Sequence, residues 1–242
     1  MSDGWNGVRA LAEEQWGLVT KQQVMASGIA WSTLSRQATG GALERVAHGV
    51  YRLRGAAEAE HMELRAAWLQ LSPATPAWAR RPEQGVVSYC SAADLYGIGP
   101  LPADVHEFTL PYRKQTRRAD VRLHRGEIGD RWILLDGLPV TRPSRIAADL
   151  LADHADPGAV AQIVADALRE VFDYPADMAQ ALTPLASAYG LHRGDGFGLL
   201  RWLLELSGDP DRAIWLDEAR EAMSSWPRKA DDTNLRNRYG GQ

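Results

Sequence analysis

The chain of 242 residues has little of several things. It holds one cysteine, Cys90, and three lysines against 24 arginines. A single cysteine excludes an internal disulfide framework and any multi-cysteine zinc site, which fits a reducing compartment. Cys90 lies in the apolar run VVSYC and reads as a small buried residue rather than a reactive thiol. The scarcity of lysine reads as the codon bias of a GC-rich genome and carries no function. No apolar run reaches the length of about 18 residues that a membrane-spanning helix needs. The N-terminal residues MSDGWNGVRA also lack the basic-then-apolar layout of a secretory leader, so a cytoplasmic protein without membrane attachment is expected. Three kinds of catalytic signature are absent: a Gly-x-x-x-x-Gly-Lys phosphate loop, a nucleophile elbow and a His-Glu-x-x-His metal motif. No catalytic residue, metal site or cofactor is expected.

With 45% hydrophobic and 24% charged residues, the composition is that of a soluble globular protein long enough for one large or two modest domains. The net charge of −4 excludes a uniformly basic nucleic-acid coat, but the charge is uneven. Residues 5–55 carry six bases and three acids, and the remainder carries 21 bases and 28 acids. A positive head on an acidic body fits a modular DNA binder with a protein-binding body.

The head has a recognisable order of elements. Val8, Leu11 and Ala12 share one face of a helix over residues 7–15, ended by Trp16 and Gly17. Thr20-x-x-Gln23 has the form of a capping box and opens a second helix that Gly28 stops. A third, over residues 31–39, turns Trp31, Leu34 and Ala38 inward and leaves a small polar face outward. After Gly40-Gly41, the segment ALERVAHGVYRL reads as two strands around His48-Gly49. Three helices followed by a hairpin is the winged helix-turn-helix order, in which the third helix enters the major groove.

Beyond residue 55, AAEAEHMELRAAWLQL reads as a helix, and Pro73, Pro76 and Pro82 make the next stretch a loop. VVSYC reads as a strand running into a helix capped by Ser91-x-x-Asp94, which makes Asp94 a helix-end partner rather than an acid catalyst. Short strands follow at HEFTL, VRLH and ILLDGLPVT, then helices from Pro143 onward. The fold class is therefore α+β. A winged helix at 5–55 precedes a mixed domain at 56–226 with a small sheet and a helical C-terminal half, and 227–242 reads as a disordered tail.

The stretches GLVTKQQVMASGIAWSTLSRQATGGALERVAHGVYRL, VVSYCSAADLYGIG and DGLPVTRPSRIAADLL, in this order, resemble the AbiEi antitoxins of bacterial type IV toxin-antitoxin systems. The resemblance spans about residues 5–155. It implies a repressor of its own operon that binds double-stranded operator DNA, with a C-terminal region that neutralises a cognate toxin of the nucleotidyltransferase class. Ala30 and Trp31 stand where such proteins often carry a Ser cap, which places the start of the third helix one or two residues later. Two alternatives are a stand-alone winged-helix regulator without a toxin and a nucleic-acid-processing enzyme targeted by the winged helix.

For DNA contact, Ser32, Thr33, Arg36 and Gln37 lie on the outward face of the third helix. Arg can hold guanine bidentately, Gln can pair adenine, and hydroxyls reach phosphates or base edges. Arg45 and His48 on the wing, with Lys21 and Gln22 at the start of the second helix, complete the set. The bland reading of all eight is a solvated polar surface. Arg113, Lys114, Arg117, Arg118, Arg122 and Arg125, opposed only by Asp120, read as a second phosphate-binding or partner-docking surface. They read equally as an exposed hairpin whose charges guard an edge strand. Asp149, Asp153, His154 and Asp156 read as a solvated helix end rather than a metal site. Trp202, Leu203, Leu206 and Trp215 read as core or interface.

Overall fold

The computed structural model describes residues 2–225; the segment 227–242, expected to be a disordered tail, lies outside them. The N-terminal unit contains α1 (Ser2–Glu13), β1 (Leu18–Thr20), α2 (Lys21–Ala26), α3 (Trp31–Thr39), β2 (Leu43–Ala47) and β3 (Val50–Leu53). The strands form an antiparallel sheet in the order β1-β3-β2. After α4 (Met62–Leu71), the body holds β4 (Val86–Val87), α5 (Tyr89–Tyr96), β5 (His106–Leu110), β6 (Val121–Arg125), β7 (Trp132–Leu135) and β8 (Leu138–Thr141). These five strands make a mixed sheet in the order β6-β5-β4-β8-β7. Helices α6 (Pro143–Ala152), α7 (Pro157–Arg169), α8 (Pro175–Leu182), α9 (Gly196–Ser207) and α10 (Arg212–Ser225) form the C-terminal half, as the α+β reading expects. No helix among the described residues is long and apolar enough to cross a membrane.

Strand β1 is absent from the sequence reading because both its faces are buried, so no polar residue alternates with the apolar ones. Successive side chains of a strand point to opposite faces. Val19 enters a small core with Val8, Val24, Leu34 and Tyr51, while Leu18 on the opposite face joins the main core beside Trp68 of α4. Strand β3 divides in the same way, with Tyr51 in the small core and Val50 in the main one. The little sheet is thus a shared wall between the winged helix and the body.

Polar bonds reinforce that wall. The buried Gln15 donates through Nε2 to the Leu18 carbonyl at 2.7 Å and to Gln23 Oε1 at 2.8 Å, and its own Oε1 accepts from the Ala77 amide. Gln23 Nε2 donates to the Thr75 carbonyl, and the Thr20 hydroxyl donates to that of Pro73. Trp16 donates through Nε1 to the Asp136 carbonyl in the β7–β8 turn at 3.0 Å and packs edge-on against Trp68.

Three body elements depart from expectation. Helix α4 begins at Met62 rather than Ala56, because His61 takes a left-handed conformation (φ 52°) and the preceding chain passes tightly over Gly17, where a Cβ would stand 2.6 Å from Ala56 Cβ. The Ser91–Asp94 capping box does not form. Helix α5 starts three residues earlier, at Tyr89, and its N-terminal end is capped from a distance by the buried Glu107 carboxylate, which accepts from the Cys90 amide at 3.0 Å. Ser91 instead bridges to β5, donating to Val105 and accepting from the Glu107 amide, while Asp94 pairs with His61 at 3.2 Å. Finally, the proline-containing loop is ordered by Arg80. Its guanidinium donates to the carbonyls of Trp68, Leu69 and Ser72 at the end of α4 and stacks on the Trp68 ring. Burial lowers its pKa to about 9, so it remains cationic at neutral pH.

Helix α1 spans Ser2–Glu13 rather than residues 7–15. At the end of α6, Asp153, His154 and Asp156 are exposed as read, but Asp149 is half-buried. Asp156 caps α7 by accepting from the Ala159 amide at 2.8 Å, and Asp149 pairs with Arg145 at 2.7 Å. Leu203 and Trp215 are buried, Trp202 is half-buried, and Leu206 is exposed.

Gln15→Leu orphans the Leu18 carbonyl and the Ala77 amide, and an unsatisfied buried group costs about 1–3 kcal/mol, so a loss of about 2–4 kcal/mol in urea unfolding is expected. Cys90 is half-buried, and burial, then the charge and hydrogen bond of Glu107, push its thiol up to about 11. Since the thiolate is the reactive form, Cys90 should stay almost inert to maleimide at neutral pH. Its labelling rate should climb about tenfold per pH unit toward 11, and fast labelling at pH 7 would refute this account.

Candidate nucleic-acid interface

The second and third helices are set by their connection. The Thr20 capping box forms as expected: the Gln23 amide donates to Thr20 Oγ1 at 3.1 Å and the Thr20 amide donates to Gln23 Oε1 at 2.9 Å. Gly28 (φ 80°) makes the turn, Ile29 is buried, and α3 begins at Trp31 with Ala30 as a cap that offers no side-chain bond. The later start expected from the missing Ser does not occur.

Leu34 is the one fully buried residue recorded for α3, and it anchors the helix to the small core. Trp31 corrects the sequence reading. It is 43% exposed rather than inward, and the Lys21 ammonium sits 4.1 Å from the centre of its ring. A cation over an indole is an attractive arrangement of roughly 0.5–1 kcal/mol at an exposed site. The contact holds Lys21 against the first turn of α3. Ser32 and Arg36, four residues apart, are both exposed on that helix, as is Gln22 on α2. Thr33 is half-buried and lies 3.5 Å from Arg36 Nη2. Gln37 is also half-buried, and it lines a groove toward α1.

The wing forms as expected, with Gly49 (φ 73°) at its turn and an irregular register between Arg45 and Ala47. Arg45 and His48 are exposed and touch each other, with Arg45 Nη2 3.0 Å from His48 Nδ1. The Lys21 amide donates to the Gly49 carbonyl at 2.7 Å, which brings the start of α2 beside the wing turn. Lys21, Arg45 and His48 are therefore neighbours at one end of the unit. Not every base in the head adds to this surface: Arg52 is paired with Glu44 at 2.8 Å.

The second basic cluster is not a hairpin. Strands β5 and β6 run parallel, and residues 111–120 form the crossover between them. Three of its six cations are engaged. Lys114 donates to the Leu71 carbonyl, and burial and nearby Arg80 lower its pKa. Arg118 holds Asp120 and Gln70, and Arg122 lies 3.6 Å from Glu107. Arg113, Arg117 and Arg125 are exposed, the last on edge strand β6.

Gln70, which no sequence pattern singles out, links the two basic regions. Its Nε2 donates to the His48 carbonyl of the wing turn at 2.7 Å, and its Oε1 accepts from Arg118 at 2.5 Å. The only sequence trace is one amide in an otherwise buried helix end. Among the described residues, no group of three or more His, Cys, Asp or Glu side chains is placed to hold a metal ion.

Comparison with known proteins finds a family match over this same unit. Residues 8–54 match the family described as "Transcriptional regulator, AbiEi antitoxin". No curated protein sequence matches the chain. Among solved structures, the RV2827C protein from Mycobacterium tuberculosis aligns over 88% of this chain and 80% of its own, at 18% identity and a TM-score of 0.50, a likeness of fold. The matched residues run from α1 through the wing and contain α3, so the likeness to AbiEi antitoxin-type transcriptional regulators covers the N-terminal winged helix.

Proposed function

We propose that this protein is a cytoplasmic DNA-binding autorepressor and antitoxin. In this reading the winged helix at 5–55 reads double-stranded operator DNA, and the domain at 56–226 neutralises a toxin of the nucleotidyltransferase class. The observation that carries the DNA-binding half is the grouping of an exposed α3 face with Lys21, Arg45 and His48. Ser32 and Arg36 face the base edges. Thr33 steadies Arg36, and Gln37, turned toward α1, reaches only the margin of the groove. Gln22, Lys21, Arg45 and His48 meet phosphates. The neutralising half rests on the resemblance to AbiEi antitoxins beyond residue 55.

Gln70 gives the second basic region a place in this scheme. It ties the wing turn to Arg118, so the exposed Arg113 and Arg117 continue the phosphate-binding surface past the wing. Lys114, Arg118 and Arg122 shape that surface through their internal bonds, and Arg125 guards the sheet edge.

Arg36→Ala should weaken binding to the DNA upstream of the gene by about 1–3 kcal/mol in a gel-shift titration and relax its sequence preference. Arg113→Ala with Arg117→Ala should instead weaken binding to all sequences alike. It should reduce the slope of log affinity against log salt by about two, one for each lost phosphate contact. An unchanged slope removes these arginines from the interface. Co-purification with the product of the adjacent gene tests the antitoxin half, and a growth-rescue assay with Arg36→Ala separates it from DNA reading. Rescue should persist in that variant. A point variant is preferred to truncation at residue 55, because Leu18 and Val50 belong to the core of the body.

A further inference from the structure

A groove lies behind α3, between α1, the base of the wing and the chain leading to α4. Its volume is about 1030 Å³. Trp5, Trp16, Leu43 and Leu53 give it aromatic and aliphatic walls, and Arg9 and Arg54 stand in it with Glu13 as the one acid. Both arginines are exposed, and neither makes an ion pair among the described residues. Apolar walls with a few convergent polar groups, at this size, are the usual make-up of a small-molecule site.

We propose that this groove binds an aromatic carboxylate, whose ring packs between the tryptophan and leucine walls and whose carboxylate is held by Arg9 and Arg54. Guanidinium and carboxylate match as planar, bidentate partners. An excess of one positive charge in an apolar groove favours a monoanion with a flat body over a neutral or cationic one.

The groove is built into the DNA-reading unit. Gln37 of α3 lines it, and the Arg54 guanidinium lies against Gly41 just beyond the end of α3, where a Cβ would stand 3.3 Å from Nη1. The Arg54 amide also donates to the Ala42 carbonyl at the start of the wing. A carboxylate on Arg54 therefore pulls at the junction between recognition helix and wing, and a ring wedged beside Trp5 sets the distance from α1 to α3. Because it contacts the joints of the unit rather than Ser32 or Arg36, the ligand changes operator affinity without competing for DNA. This coupling rests on the DNA-reading role proposed above; the binding does not.

The test uses the full chain and 2-naphthoate as the probe. Titration followed by the indole N–H resonances should show saturable shifts of Trp5 and Trp16, with 2-naphthamide, the neutral analogue, binding about tenfold more weakly. Arg9→Ala with Arg54→Ala should abolish the preference for the anion, and both side chains are exposed, so the variant should keep its thermal midpoint. The site is refuted by no saturable shift, by equal binding of the amide, or by an unaffected variant. It is refuted equally by sedimentation showing a second copy of the chain seated in the groove. Saturating 2-naphthoate should then change operator affinity severalfold in the native protein and not in the variant. If the probe binds and operator affinity stays fixed, the coupling is wrong. If the protein binds no operator even without the probe, the DNA-reading role fails while the titration still decides the site.

Discussion

The amides of Gln15 and Gln23 face each other inside the protein, where every polar atom needs a partner. Between them they satisfy the Leu18 carbonyl, the Thr20 amide, the Thr75 carbonyl and the Ala77 amide. A capping box that would serve one helix at a surface here also joins two parts of the molecule. With the Trp16 bond to Asp136 and the two-faced strands β1 and β3, it makes the winged helix and the body one packed object. The direction in which α3 points is thereby set relative to the sheet and to the second basic region. A polar network so completely satisfied tolerates few alternative dockings, since any shift leaves a buried group unpaired.

Two charged groups close helix ends over shorter distances in the chain. Arg80 closes the C-terminal end of α4, and Glu107 closes the N-terminal end of α5. Each supplies the sign that the helix end favours, positive at the carbonyls and negative at the amides. The α4 end lies against the winged helix, where the Gln70 side chain donates to the His48 carbonyl, and the α5 end lies between the sheet and α6. The buried Glu107 also holds His124 at 3.0 Å, and His124 stacks on Tyr89. The start of α5 is therefore tied to β5 by the Glu107 bond to the Cys90 amide and to β6 by the stacked ring of His124.

Location rather than count decides what the positive charges do. Arg52, Arg80, Lys114 and Arg118 are taken up by carboxylates, carbonyls and an amide within the fold. Arg36, Arg113 and Arg117 face water and carry the proposed DNA surface, while Arg9 and Arg54 face the groove behind it. A modest excess of three positive charges over residues 5–55 thus resolves into paired, solvent-facing and groove-facing sets. The same division explains how a chain with net charge −4 can present a cationic face.

The residues by themselves determined the local features whose causes are local. The Thr20 capping box, the turns at Gly28 and Gly49, the helices after Pro143, and the strands at 106–110, 121–125 and 132–141 all follow from periodicity, caps and turn residues a few positions apart. The exposed character of Ser32, Arg36, Arg45 and His48 was legible for the same reason. What escaped depends on partners far along the chain. Strand β1 looks featureless because two different cores claim its two faces. Helix α5 begins at Tyr89 because its cap arrives from Glu107, and Trp31 stays outside under Lys21 because Leu34 already fills the core beneath α3. The parallel pairing of β5 with β6, the bridge through Gln70 and the groove with Arg9 and Arg54 arise only when separate segments meet. Local sequence sets which backbone conformations are favourable, but burial and the demand that each buried polar group find a partner are properties of the assembled fold, and those were decided by tertiary structure.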